Sequence, residues 1–321
     1  MKNPILVLFA GAIVLVQAAA SDFKAATDWL RLPDGRPKIG DMHGDIAVSS
    51  KGEVYVSVQD PKAGVQVYAA DGRFVRNVPG APSDFHGFVI RKQRDGEFIY
   101  GPRVGAQSIV KIGLDGKVVL MIPASVIPDE FKNHNKEGKS SVALTAMDVA
   151  PNGDMYVTDG YASDYVHRFD PSGKYLASFG GKKAPYSFQT LHKIAIDTRF
   201  TPARIIGCDR ANMRVVHMSL TGEFLGVVAT DLLLPAAVAI HGDYAAIGEL
   251  KGRVTLLDKA GKVVDRLGTY TGPGVGGNGV KPEQWQTGVT ISPHGVAFDA
   301  RGNLFVAEYS ATGRVHRFDV K

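Results

Sequence analysis

One phrase is written six times along this chain, and short repeated units must stack on one another because no single copy can bury its own apolar faces. The last copy shows the phrase plainly. It has an apolar triplet at 296–298, a turn at 299–303 with Gly302 and Asn303, and an apolar run at 304–307. A second turn at Thr312 and Gly313 then leads into an alternating segment at 315–319. The same phrase starts at Ile46 and at Met147, and three more copies start at Phe88, Ile194 and Val238. A fourth segment follows the second turn, such as 74–78 or 175–179. Four short antiparallel strands in a unit of roughly 40–50 residues mark a propeller blade. Helical periodicity is weak throughout, so an α/β arrangement carries little weight. The expected fold is all-β, a six-bladed β-propeller.

Radial stacking makes one closed domain of residues 21–321, although a chain of 321 residues could otherwise hold two. The sixth copy stops at Lys321 without a fourth strand, whereas segment 23–32 precedes the first copy with nothing to pair with. Residues 26–30 are therefore expected to supply the missing edge of blade six and close the ring, which removes an open strand edge. Two connections are unusually long: the polar stretch 123–141, and 270–290 with its glycine-rich segment 271–277. Loops of that length in a compact domain serve as functional lids or flexible insertions. The glycine-rich one lacks the strand-to-helix setting that a phosphate cradle needs.

Residues 1–20 open with Lys2, continue through an apolar run at 5–16 and end in Ala18-Ala19-Ala20. This is the pattern of a secretory signal peptide with a small-residue cleavage site. It places the mature chain outside the cytoplasm, secreted or periplasmic, with no membrane insertion once the signal is removed; the run is short for a span of roughly 20 residues. Cys208 is the only cysteine, so no intramolecular disulfide can form, and its apolar setting at 205–208 reads as a buried inert thiol. Lys plus Arg number 37 against 32 Asp plus Glu, a net charge of +5 that becomes +4 when Lys2 leaves with the signal. There is no basic run and no basic stripe interleaved with aromatics, so nucleic acid is not an expected partner. The mild excess suits an anionic small molecule or peptide carrying a carboxylate, bound by a monomer.

Aligning the copies on their first strand exposes one geometric position, two residues before the apolar triplet. It is occupied in order by Gly44, His86, Thr145, His192, Ala236 and His294. Alternate blades of a six-fold ring are a third of a turn apart, so three imidazoles from this position converge on the central axis. Three histidines leave an open coordination position, which is the pattern of a catalytic zinc site, with Fe, Cu or Mn as other candidates. His43 falls one residue out of register and reads as an ordinary imidazole, and His167 and His316 share a place on the third strand, outside the channel. Other polar residues follow the second strand: Gln59, Arg103, Asp159, Tyr161, Asp209, Arg210, Glu249, Glu308 and Tyr309. Asp159, Asp209 and Glu308 read as turn-capping acids. Tyr161 and Arg210 beside a metal offer a proton-transfer group and a carboxylate clamp.

Taken together, Asp159-Gly160-Tyr161, Leu191-His192, Cys208-Asp209-Arg210-Ala211-Asn212 and Pro293-His294-Gly295 resemble the peptidyl-α-hydroxyglycine α-amidating lyase family, within the NHL-repeat propellers. The resemblance covers almost the whole mature chain. It implies a secreted carbon–nitrogen lyase that cleaves a carbinolamide to an amide plus glyoxylate, with zinc held by His86, His192 and His294. Tyr161 matches the family's active-site tyrosine and Arg210 one of its arginines. A second family arginine, after the second strand of blade one, is here Gln59, and Arg103 in the neighbouring blade is the candidate substitute. Animal members carry an acid after the third histidine that helps hold calcium, where this chain has Gly295. Two other readings stand beside the lyase. One is a non-catalytic propeller that binds a peptide or small molecule at the same mouth. The other is a gluconolactonase-type hydrolase, whose calcium is held by Glu, Asn and Asp, which the channel histidines disfavour.

Overall fold

The computed structural model describes residues 22–27, 29–32 and 35–321. The signal peptide expected at 1–20 lies outside them. Six four-stranded antiparallel sheets are arranged along the chain; in five the strands pair in sequence order, and the sixth takes its outer strand from near the start of the described residues. The innermost strands are Ile46–Val48, Val89–Gln93, Ala146–Val149, Leu191–Asp197, Pro235–His241 and Pro293–Phe298. The only helical elements among the described residues are three 3-10 turns, and no described helix is long and apolar enough to cross a membrane.

The sheets bury both faces, because each blade is sandwiched between two neighbours. Second and third strands such as Val54–Ser57 and Val65–Tyr68 are therefore buried at every residue. The outer strand Phe74–Asn77, at the rim, is at most half-buried. The apolar core is accordingly six clusters, one between each pair of adjacent blades. Tyr55, Val67, Phe88 and Ile99 join blades one and two, for instance, and Phe23, Val254, Leu256 and Val306 join blades five and six.

Ring closure differs in register from the sequence expectation. The strand that completes blade six is Phe23–Ala25, which pairs with Arg314–Val320 in the register Phe23 to Val320, Lys24 to Asp319 and Ala25 to Phe318. The described part of segment 26–30 adds one further bond to the edge, from Ala26 N to Arg317 O at 2.9 Å, and then departs from it. The reason is Trp29. Its indole packs edge-on against Phe305 of blade six, ring centres 5.1 Å apart, and donates to Ala70 O of blade one at 2.9 Å. A tryptophan that can fill the seam between the first and last blades gains more by burial there than by flanking a rim strand. Gly72, with φ of +85°, lets the neighbouring turn approach, since a Cβ there would stand 1.7 Å from Trp29 O.

The long connections are ordered. Segment 123–141 forms two 3-10 turns, Ala124–Val126 and Asp129–Phe131, and a two-residue hairpin, Asn133–His134 with Ser140–Ser141. Segment 270–290 carries the 3-10 turn Pro282–Gln284 and lays Gly277 against the Tyr309 ring.

Two outcomes follow from this packing. Trp29→Ala is expected to cost about 3–5 kcal/mol, read by chemical denaturation, because it opens the seam and loses the indole hydrogen bond. His167 is fully buried with its Nδ1 2.7 Å from Ser178 Oγ and its Nε2 without a partner, and burial lowers its pKa to about 3. The unfolded chain takes up a proton near pH 6.5 that the native chain refuses, so this stability is present above 6.5 and lost as pH falls towards 3. His167→Leu should flatten the acid limb of unfolding free energy against pH by about one proton, or about 1.4 kcal/mol per pH unit.

Candidate functional site

His86, His192 and His294 enter the channel from blades two, four and six, and are 4%, 2% and 3% exposed. Their ring centres lie 4.8, 4.8 and 4.9 Å apart, each pair close to perpendicular. Each Nδ1 meets a backbone carbonyl of the following blade: His86 at Thr145 O, 2.9 Å, His192 at Ala236 O, 2.6 Å, and His294 at Gly44 O, 2.7 Å. These acceptors are the small residues that alternate with the histidines in the repeat. A carbonyl can only accept, so each neutral imidazole carries its proton on Nδ1 and turns the Nε2 lone pair away from that carbonyl. Burial is the main reason that none of the three is charged. It lowers His86 to about 3 and holds His192 and His294 well below 6.5, with repulsion among the rings adding to it.

The Nε2 atoms have few donors. Tyr161 Oη lies 2.9 Å from His86 Nε2 and 3.1 Å from His192 Nε2, and its single proton can serve only one of them. His294 Nε2 is buried without a partner. Three lone pairs thus face one O–H, a donor set that fits a divalent transition metal such as zinc. Arg210 holds the outer side of the tyrosine, with Nη1 3.3 Å from Oη and its guanidinium carbon 5.2 Å from the ring centre. Burial raises the Tyr161 phenol above its ordinary 10, and Arg210 pulls the other way.

The acids after the second strands do more than cap turns. Asp159, Asp209, Glu249 and Glu308 accept backbone N–H groups of Ala143, Gln189, Leu233 and Ile291, so each fastens the segment that leads into the channel position of its own blade. Arg103 is not joined to the histidines; its Nε is held by Asp84 Oδ1 at 2.9 Å. Gln59 is exposed.

Three residues at the site escaped the repeat alignment. His43 stacks edge-on against His86 and His294, ring centres 5.0 Å apart in both cases, and lies 4.6 Å from the Tyr309 ring. Nitrogens of His43, His86 and His294 all come within 4.8 Å of one another. The remaining two are Lys193 and Asp45, a buried ion pair between blades four and one, next in sequence to His192 and Gly44. Asp45 also accepts from the backbone N–H groups of Ile46 and Phe88. A cavity of about 540 Å³ occupies the channel on the far side of Lys193, lined by the inner strands of all six blades. Calcium does not fit here. It requires 6–8 oxygen ligands, the Asp45 carboxylate is committed to Lys193, and a Cβ on Gly295 would stand 2.6 Å from Asp45 Oδ1.

No family model matches the chain. Among solved structures it is similar to a streptogramin B lyase, 13% identical over 93% of this chain and 97% of the other, TM-score 0.59. A catalytically inactive virginiamycin B lyase from Staphylococcus aureus with quinupristin is 14% identical over 93% and 100%, TM-score 0.59. A gluconolactonase from Xanthomonas campestris is 13% identical over 88% and 89%, TM-score 0.62. At these identities the likeness is one of fold.

The ion pair yields a direct expectation. Lys193→Met leaves Asp45 buried and uncompensated and should cost about 3–5 kcal/mol, whereas adding Asp45→Asn should recover most of that loss. A double-mutant cycle by urea denaturation measures both.

Proposed function

We propose that this chain is an exported, metal-dependent lyase that acts at the histidine-lined mouth on a small molecule or peptide carrying a carboxylate. The preferred substrate is a carbinolamide, cleaved to an amide plus glyoxylate. The observation that carries this reading is one O–H shared by two of three buried Nε2 lone pairs while the third, on His294, has no partner, with an arginine on the outer side of the tyrosine. His86, His192 and His294 would hold a zinc ion, which would supply Lewis acidity and lower the pKa of a hydroxyl in contact with it.

The chain's own residues do the rest. Arg210 is exposed enough to meet a substrate carboxylate and is placed to hold it against the tyrosine. Tyr161 Oη is the proton-transfer atom: its O–H gives a proton to the amide nitrogen as the carbon–nitrogen bond breaks, the carbinol O–H electron pair becomes the carbonyl, and the carbinol proton returns to Oη. Solved propellers of similar shape include a streptogramin B lyase and a gluconolactonase, so an enzymatic role is consistent with the fold. A second reading, a non-catalytic propeller that binds such a ligand, is favoured by the exposed Gln59 and by the capture of Arg103 by Asp84.

Zinc-loaded protein should release glyoxylate from α-hydroxyglycine-terminated amides. Tyr161→Phe should lower the rate by about 10²–10⁴, and elemental analysis should find one metal per chain, lost in His192→Ala. Bound metal without glyoxylate would favour the binding protein, and calcium alone a lactonase-type site.

A further inference from the structure

We infer that His43 is a fourth protein ligand of the metal centre, closing the coordination position that His86, His192 and His294 leave open until a substrate oxygen displaces it. This rests on the metal reading above and concerns what occupies that centre at rest.

The argument begins with the backbone. Met42 N donates to Ser310 O at 2.8 Å and Ser310 N returns a bond to Met42 O at 3.0 Å, pinning blade one to blade six on one side of His43. On the other side, Gly44 O holds His294 Nδ1, and a Cβ on Gly44 would stand 1.8 Å from Ser57 Oγ. The segment is fixed, but the side chain is not. Each of the other three imidazoles is tethered through Nδ1, whereas no hydrogen bond to a described residue restrains either nitrogen of His43.

Position then selects its role. Tyr161 contacts His86 and His192, and His43 contacts His86 and His294, so the two flank different edges of the triad. Ligand nitrogens around a tetrahedral zinc at 2.0–2.1 Å are roughly 3.4 Å apart. Nitrogens of His43, His86 and His294 already lie within 4.8 Å of one another, and of these three rings His43 is the one free to rotate towards that spacing. The buried, unpartnered Nε2 of His294 lies on that same edge. Four imidazoles close the shell, and an incoming oxygen then competes with a ring held only by contacts with Tyr309 and its histidine neighbours.

Cobalt(II) tests this, because its visible absorption reports coordination number and donor set. Mature protein loaded with cobalt(II) should show intense four-coordinate bands. His43→Ala should change their position and intensity and weaken cobalt(II) and zinc affinity by at least about tenfold, and added imidazole should restore the spectrum. His43→Gln, which keeps bulk and polarity, should behave like His43→Ala, with circular dichroism confirming that both variants fold. An unchanged spectrum and affinity in both variants, while His192→Ala abolishes binding, would overturn the inference and leave the metal reading standing. Failure of the unaltered protein to bind either ion would overturn both.

Discussion

Each channel imidazole is held by a carbonyl that belongs to the next blade, and the remainder of the site depends on that bond. It fixes the tautomer, aims Nε2 away from the backbone, and makes the triad's geometry a property of the ring rather than of any one sheet. The bond from His294 to Gly44 O runs between the last blade and the first. It exists only if the ring is closed, so the short strand Phe23–Ala25 and the Trp29 seam are conditions for the third imidazole to face the other two. The same bond explains the alternation of residue size. Positions that lend a carbonyl must leave room for an imidazole, and Gly44, Thr145 and Ala236 do so.

Two further layers make this arrangement stiff. Carboxylates at the ends of second strands grip the backbone that leads into the channel positions, so the loops at the mouth are bound to strands beneath them. Below the triad, Lys193 and Asp45 tie blade four to blade one across the axis, and Asp45 also accepts from blade two. A site that holds several lone pairs at short range needs such support, because the free energy lost by leaving them unsatisfied must be offset elsewhere in the structure.

What could be read from the sequence follows from which features repeat. Six copies of one phrase reveal blades, order and closure, and comparing equivalent positions singles out His86, His192 and His294 among nine histidines. Features that do not repeat were hidden. His43 lies one residue outside the aligned position and reaches the site because Met42 is paired with Ser310, a contact between the two ends of the chain. Lys193 and Asp45 are 148 residues apart with nothing local to link them. The closing strand was displaced by three residues because strand pattern alone does not show that Trp29 has a better place to be buried. The acids looked like turn caps because their partners lie 16 to 20 residues back in the chain.

The balance of charge at the mouth argues for an anionic ligand more firmly than the net charge of the chain does. Asp159, Asp209, Glu249 and Glu308 are committed to backbone amides, and Asp45 to Lys193. The channel imidazoles are neutral, so a divalent cation seated on them would bring two positive charges into a buried site that already has Arg210 at its rim, with only the exposed Asp41 beside His43 to answer them. Such an excess of charge in a low-dielectric setting is unfavourable until an anion arrives. A ligand that brings both a carboxylate for Arg210 and an oxygen able to take the fourth position supplies that anion, while a neutral one leaves the excess in place. With a metal seated as proposed, selection by charge would rest on the same bonds that orient the histidines.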